Sequence, residues 1–95
     1  MGSEFEWDEE KAAENLRKHG VSFPQAALAF RDPLAVDLFD DREDYEEDRF
    51  LHIGSYAGQV LTVAYTERGG DRIRIISARR ATKDEQEYYQ SQNRI

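Results

Sequence analysis

Between Arg72 and Arg80 the chain alternates charged and β-branched apolar residues with a period of two, the pattern of a strand with one wet face. Strict alternation predicts one face of Arg72, Arg74, Ile76 and Ala78, and another of Ile73, Ile75, Ser77 and Arg79. The pattern then changes at once. Thr82, with Glu85 three residues on, makes a capping box and predicts a helix over 83–90, with residues 91–95 expected to fray. A strand that ends in arginines at a helix entrance can hold cations rigidly beside oriented backbone N–H groups, an arrangement that suits a phosphate. Three earlier stretches also alternate: Leu34 to Phe39, Arg49 to Tyr56, and Val60 to Thr66 with Leu61, Val63 and Tyr65 on its apolar face. Ala57-Gly58-Gln59 and Arg68-Gly69-Gly70-Asp71 are turns, the second a hairpin whose glycines tolerate positive φ.

The first third of the chain is helical in period. Asp8 is a candidate N-cap, Glu9 and Glu10 suit the positive end of a helix dipole, and Gly20 follows His19 in the usual left-handed stop position. Ala12, Ala13, Leu16 and His19 are the expected inner side. Ser22, Pro24 and Gln25 open a second helix with the apolar stripe Phe23, Ala26, Ala27 and Phe30, ended by Asp32-Pro33. Every strand-to-strand link is short, which calls for antiparallel pairing. The expected class is α+β: two N-terminal helices, a four-stranded antiparallel sheet and a C-terminal helix, in one domain over residues 1–95. Met1 to Ser3 can be a cloning scar and carry no weight in this reading.

Charge changes the picture. The net charge of −7 argues against a generally basic nucleic-acid binder, yet it is unevenly spread. Residues 1–48 hold fifteen Asp and Glu against five Lys and Arg; residues 49–95 hold five against eight, seven of them arginine. The C-terminal half can therefore supply a local cationic field. The run 40–48, with seven acids in nine residues, reads as a solvated loop. Without cysteine there is no disulfide framework, no thiolate nucleophile and no cysteine-based zinc site, which fits a cytoplasmic protein. No apolar run is long enough for a membrane helix, so no membrane partner is expected.

Arg49, Arg68, Arg72, Arg74, Arg79 and Arg80 lie at or near strand ends, where guanidinium groups can grip phosphate bidentately. They can equally neutralise the chain's own acids. His19 can exchange a proton near neutral pH, and Lys18 beside it can stabilise developing negative charge; a histidine in a helix's last turn can also simply cap carbonyls. Thr66 is a hydroxyl donor at a strand end. His52 reads as structural, and His19 and His52 do not have metal-ligand spacing, so no metal and no cofactor are expected.

Several blocks together resemble the BrnT family: Phe5-Glu6-Trp7-Asp8, Asn15-x-x-Lys18-His19-Gly20-Val21-x-Phe23, Phe30-x-Asp32-Pro33, Asp48-Arg49, and Arg74-Ile75-Ile76-Ser77-Ala78-Arg79-x-Ala81-Thr82-x-x-Glu85. The resemblance spans residues 5 to 89 in the family's order. One departure is Asp44-Tyr45-Glu46-Glu47, where family members often carry Asp-Tyr-Gly-Glu. The resemblance implies a RelE-like fold and the toxin of a type II toxin–antitoxin system, an endoribonuclease that blocks translation. It also implies a BrnA antitoxin with a ribbon-helix-helix region, and DNA contact only through that partner. Metal-free RNA cleavage by attack of the 2′-hydroxyl needs charge stabilisation, for which Arg49 and Arg79 are the candidates, and proton transfer, for which Lys18 and His19 are. Thr66 would orient a phosphate oxygen, and Arg68 and Arg74 would hold flanking phosphates. All of these are expected to point into one cleft. The competing reading is a non-catalytic interaction module built on the acidic run and an open sheet edge.

Overall fold

The structure, a computed structural model, describes residues 4–41 and 46–93. Eight elements follow in order: β1 (Glu4–Glu6), α1 (Glu9–His19), α2 (Phe23–Ala29), β2 (Val36–Asp40), β3 (Arg49–Tyr56), β4 (Gln59–Glu67), β5 (Arg72–Arg80) and α3 (Lys83–Gln92). The strands form one sheet in the order β1-β5-β4-β3-β2. All neighbours are antiparallel except β1 and β5, which run parallel with Phe5 opposite Ile73 and Glu6 opposite Arg74. The expected four-stranded antiparallel sheet is thus a five-stranded mixed one. Its extra strand is only three residues long and forms by pairing with the distant β5.

The predicted caps form as chemistry dictates. Asp8 Oδ1 accepts from the N–H groups of Glu10 and Lys11 at 2.8 and 3.1 Å, and Gly20 closes α1 at φ 71°. Ser22 with Gln25 and Thr82 with Glu85 both make complete capping boxes. Helix α2 stops at Ala29, with Phe30 as C-cap, three residues before the expected end. The Asp32 carboxylate then holds the chain in a turn by accepting from the Leu34 N–H, which delays β2 to Val36 and carries it through Asp40. Asp40 is consequently buried rather than part of a solvated loop. Residues 42–45 of that run lie outside the described residues. At the other end, α3 extends to Gln92, and Asn93 donates to the carbonyls of Leu34 and Tyr89, so the chain is held up to residue 93 rather than frayed from 91.

Helices α1 and α2 cover one face of the sheet. Phe23, Ala26 and Ala29 of α2 meet Leu61, Val63, Ile75 and Ala78, with Phe5, Trp7 and Phe30 packed around them. Burying a side chain such as Phe23 or Val63 completely is worth about 1.5–3 kcal/mol. That Ile75 and Ala78 share this core breaks the predicted alternation, since they are three residues apart. The register explains it: Ala64 pairs with Ser77, but Tyr65 pairs with Ile75, so Ile76 is an extra residue in a bulge. The bulge reverses the facing of everything after it. Arg74 and Arg79, predicted on opposite faces, are turned to the same one, opposite Thr66 and Thr62 respectively.

The inner side of α1 also differs from expectation. Leu16 is half exposed, while Asn15 is buried. Its side chain lies at the margin of β5, beyond the three residues that β1 covers. Asn15 Nδ2 donates to the carbonyls of Ala78 (2.8 Å) and Val21 (2.9 Å), and Asn15 Oδ1 accepts from the Ala78 N–H at 3.1 Å. One amide satisfies both backbone groups that a further strand would otherwise have met. Close approach is needed elsewhere too: a Cβ on Gly54 would lie 2.7 Å from the Ala29 carbonyl oxygen and 2.9 Å from His52 Nε2. Replacing Asn15 by leucine should lower unfolding free energy by at least about 1–3 kcal/mol, since Ala78 keeps a buried donor and acceptor with no partner. Chemical denaturation of Asn15→Leu beside wild type measures this.

Candidate active site

The face opposite α1 and α2 carries a polar row that crosses all five strands. Glu6 on β1 is level with Arg74 on β5, and Arg74 with Thr66 on β4. One step past the Phe50–Tyr65 pair, Arg49 of β3 lies beside Thr66, and Arg49 is paired with Asp40 of β2. With strands roughly 4.8 Å apart, the Arg49 and Arg74 backbones are roughly 10 Å from each other, with Thr66 between them. The Thr66 hydroxyl is buried and donates to the Asp48 carbonyl at 2.6 Å, which fixes the segment leading into Arg49.

Glu6 is the hub of the row's other end. Its carboxylate lies 3.1 Å from Arg74 Nη1, 3.7 Å from Arg72 Nη1 and 3.7 Å from Arg68 Nε. Arg68 also approaches Glu47 at 3.9 Å. Three guanidinium groups therefore converge on one anion from β5 and the turn before it. They do so in a chain of net charge −7, so the cations are concentrated by the fold rather than by composition.

Arg79 lies on the same face, four residues along β4 from Thr66, or roughly 13 Å at strand rise. It makes a two-pronged contact with Glu85 at 2.7 and 2.9 Å. Glu85 Oε1 also accepts from the Thr62 hydroxyl and the Thr82 N–H, both at 2.8 Å. These hydrogen bonds, those from Arg79 foremost, hold the Glu85 carboxyl at about 2 despite its partial burial. Helix α3 is thereby fastened across this end of the face.

The helix side of the sheet has its own polar group. His52 stacks on Phe30 at 3.8 Å, its Nδ1 is 2.7 Å from Asp37 Oδ1, and its Nε2 is 3.0 Å from the Ala29 carbonyl. Each ring nitrogen therefore lies within hydrogen-bond distance of an oxygen acceptor. Burial pushes the Asp37 carboxyl up, but hydrogen bonding and charge from His52, together with the Tyr65 hydroxyl, outweigh it and leave Asp37 below its ordinary range. His52 is thus a strut between β3, β2 and α2, as its sequence setting suggests.

The family model for the ribonuclease toxin BrnT of type II toxin–antitoxin systems matches residues 7–85. The chain belongs to the BrnT family. It is similar to the Brucella abortus ribonuclease toxin BrnT, known from a 1.1 Å crystal structure, with 29% identity and a TM-score of 0.66 over 85% of this chain and 99% of that one. No curated protein matches the chain in sequence. Membership brings with it an RNA substrate and an antitoxin partner. Among the described residues no helix is long and apolar enough to cross a membrane.

In this BrnT-family structure the sequence candidates divide into groups. Arg49, Thr66, Arg74 and Arg68 are gathered at one end of the open face, and Arg79 stands at its other end. Lys18 and His19 are exposed in the last turn of α1, on the layer across the sheet, and among the described residues no hydrogen bond or ion pair joins them to the arginines. The expected single cleft is therefore not what the fold builds. Two members of the row were not singled out from the sequence, Glu6 and Asp40. The alternation of Glu4-Phe5-Glu6-Trp7 was the available signal for Glu6, since Phe5 and Trp7 pack inward and Glu6 must then face out.

Glu85 gives a pH dependence with a definite sign. Its folded-state carboxyl is depressed, so its contribution is complete above the ordinary value of 4.5 and disappears as pH falls from there toward about 2. Glu85→Gln should be less stable than wild type at neutral pH, with the difference shrinking through that acid window. Melting temperatures across pH 2–7 check it, and a gap that stays constant would refute the assignment.

Proposed function

We propose that this chain is the toxin of its type II pair and cuts RNA without a metal, on the face that carries Glu6, Arg74, Thr66 and Arg49. What carries the reading is the row itself: arginines from β3, β5 and the turn between β4 and β5 gather at one end of a sheet in an otherwise acidic protein. In the reaction the 2′-oxygen of one nucleotide attacks the neighbouring phosphorus, and the bond to the 5′-oxygen of the next nucleotide breaks. Negative charge builds on the phosphoryl oxygens as the bond forms. Fixed guanidinium groups stabilise that charge without reorganising.

Arg49 and Arg74, on either side of Thr66, take this role. Arg68 and Arg72 hold a flanking phosphate, and Thr66 acts by positioning, since its hydroxyl is committed to the Asp48 carbonyl. Arg79, already held two-pronged by Glu85, anchors α3 and meets RNA only beyond the scissile linkage. Lys18 and His19, on the helix layer, take no part in the cleavage step. The partner would be a BrnA-like antitoxin with a ribbon-helix-helix region that covers Arg74 and Arg79, so that DNA is contacted only through it. Cytoplasmic RNA is the substrate in this reading.

Cleavage of a single-stranded RNA in EDTA tests it. Arg49→Ala and Arg74→Ala should each lose ~100- to 1,000-fold in rate, the usual cost of one charge-stabilising donor. His19→Ala should stay near wild type. The reverse pattern, with His19→Ala inert and both arginine variants active, would move the active site to the other layer. Wild type that neither cuts RNA nor arrests growth, yet binds the antitoxin, would support the non-catalytic module instead.

A further inference from the structure

Within that nuclease reading the cations are accounted for, but the reaction also needs a group to take the proton from the attacking 2′-hydroxyl. We propose that Glu6 is that group. It is the one described carboxylate in direct contact with Arg74, at 3.1 Å through Nη1, and it sits level with Arg74 on the same face. A 2′-hydroxyl is a few bonds from the phosphorus it attacks, so base and phosphate clamp must be close neighbours. One guanidinium has five N–H donors in a planar fork. Arg74 can hold Glu6 with one nitrogen and a phosphoryl oxygen with another, which sets base, nucleophile and phosphorus at fixed separations.

The other carboxylates of the face are less suited. Glu85 already accepts from Arg79, Thr62 and Thr82, and Asp40 is buried at the far edge. Glu47 meets Arg68 at the longer distance of 3.9 Å, from the segment before β3. Glu6 is about one-third exposed, so it is open to solvent on this face. The charged groups around it are Arg72 and Arg74 of β5, Arg68 of the turn before it, Glu4 on its own strand opposite Arg72, Glu47 through Arg68, and Asp8 through the field of Arg74.

The three arginines fix the carboxylate beside the phosphate clamp before any substrate arrives. When a phosphodiester enters, Arg74 stays on Glu6, while Arg68 and Arg72, farther away at 3.7 Å, turn to the flanking phosphate and leave a carboxylate oxygen open to the proton. The step balances as follows. Glu6 takes the 2′-O–H proton as the 2′-oxygen bonds to phosphorus, the bond from phosphorus to the 5′-oxygen breaks, and the leaving oxygen takes a proton from solvent. Glu6 then returns its own proton to solvent. The products are a 2′,3′-cyclic phosphate and a free 5′-hydroxyl.

The test compares wild type, Glu6→Gln and Glu6→Asp on one RNA oligonucleotide over pH 4–9. Binding of a non-cleavable 2′-deoxy analogue and thermal melting are measured beside it. Glu6→Gln should lose ~100- to 10,000-fold in kcat, the usual worth of a positioned base, with analogue binding little changed and the acid limb of the pH–rate profile gone. Glu6→Asp should keep that limb at reduced kcat, and it carries the test if Glu6→Gln does not fold. A Glu6→Gln enzyme that cuts at wild-type rate overturns the assignment, and so does one that binds RNA more tightly and cuts faster, since Glu6 would then be a competitor for the arginines. Loss of rate with the acid limb intact also overturns it. Active wild type with any of those three variant results refutes Glu6 alone, whereas inert wild type refutes the nuclease reading together with it.

Discussion

The contact between the Asn15 side chain and the Ala78 backbone governs the rest of this molecule. After the bulge at Ile76 the last strand has turned over, and the face it shows to α1 and α2 is set by Ala78 and Ile75 rather than by strict alternation. An amide that supplies one donor and one acceptor to the same residue fixes that phase more tightly than apolar packing would. Leucine or alanine in place of Asn15 could fill the space but could not select which residue of β5 lies beneath it. The phase in turn decides that Arg79 points to the same face as Arg74. A helix on one side of the sheet thereby sets the chemistry of the other.

That chemistry rests on concentrating positive charge within an acidic protein. Glu6 meets Arg68, Arg72 and Arg74; Glu85 meets Arg79. The pairs to Glu6, which water reaches and screens, add little to stability, whereas the more enclosed Glu85 contributes through its hydrogen bonds. Their consequence here is geometric, since each carboxylate holds guanidinium groups in place before any substrate arrives. The two acids differ in how far they are committed. Glu85 is saturated by hydrogen bonds and fastens a helix, whereas Glu6 is held by cations of which Arg68 and Arg72 can turn to a phosphate.

Much of the fold was legible in the sequence wherever a rule is local. The caps at Asp8, Ser22 and Thr82, the stop at Gly20, and the strands at Arg49–Tyr56 and Arg72–Arg80 all depend on neighbours within a few residues. What escaped depends on distant partners. Strand β1 exists because β5 offers it a free edge, and nothing within Glu4-Phe5-Glu6 could say so. The bulge lies where Ile75 and Ile76 follow one another, a break in the alternation that a strict period of two passes over, and Asn15 looked like an ordinary polar helix residue until Ala78 was beside it. The same limit applied to the site. Arginines could be recognised as a group from their number and residue type, but their sharing of a face, and the separation of Lys18 and His19 from them, came only from strand register.

The parallel pairing of the first strand with the last has a consequence for how the protein is made. Glu6 and Arg74 meet across 68 residues of chain. During synthesis the amino-terminal helices can fold early from local contacts, but the arginine-rich hairpin and its carboxylate partner cannot come together until β5 itself has left the ribosome. A nascent chain that stops short of β5 therefore lacks the assembled cation face, so any catalytic competence that depends on it is acquired in one step, when that strand docks.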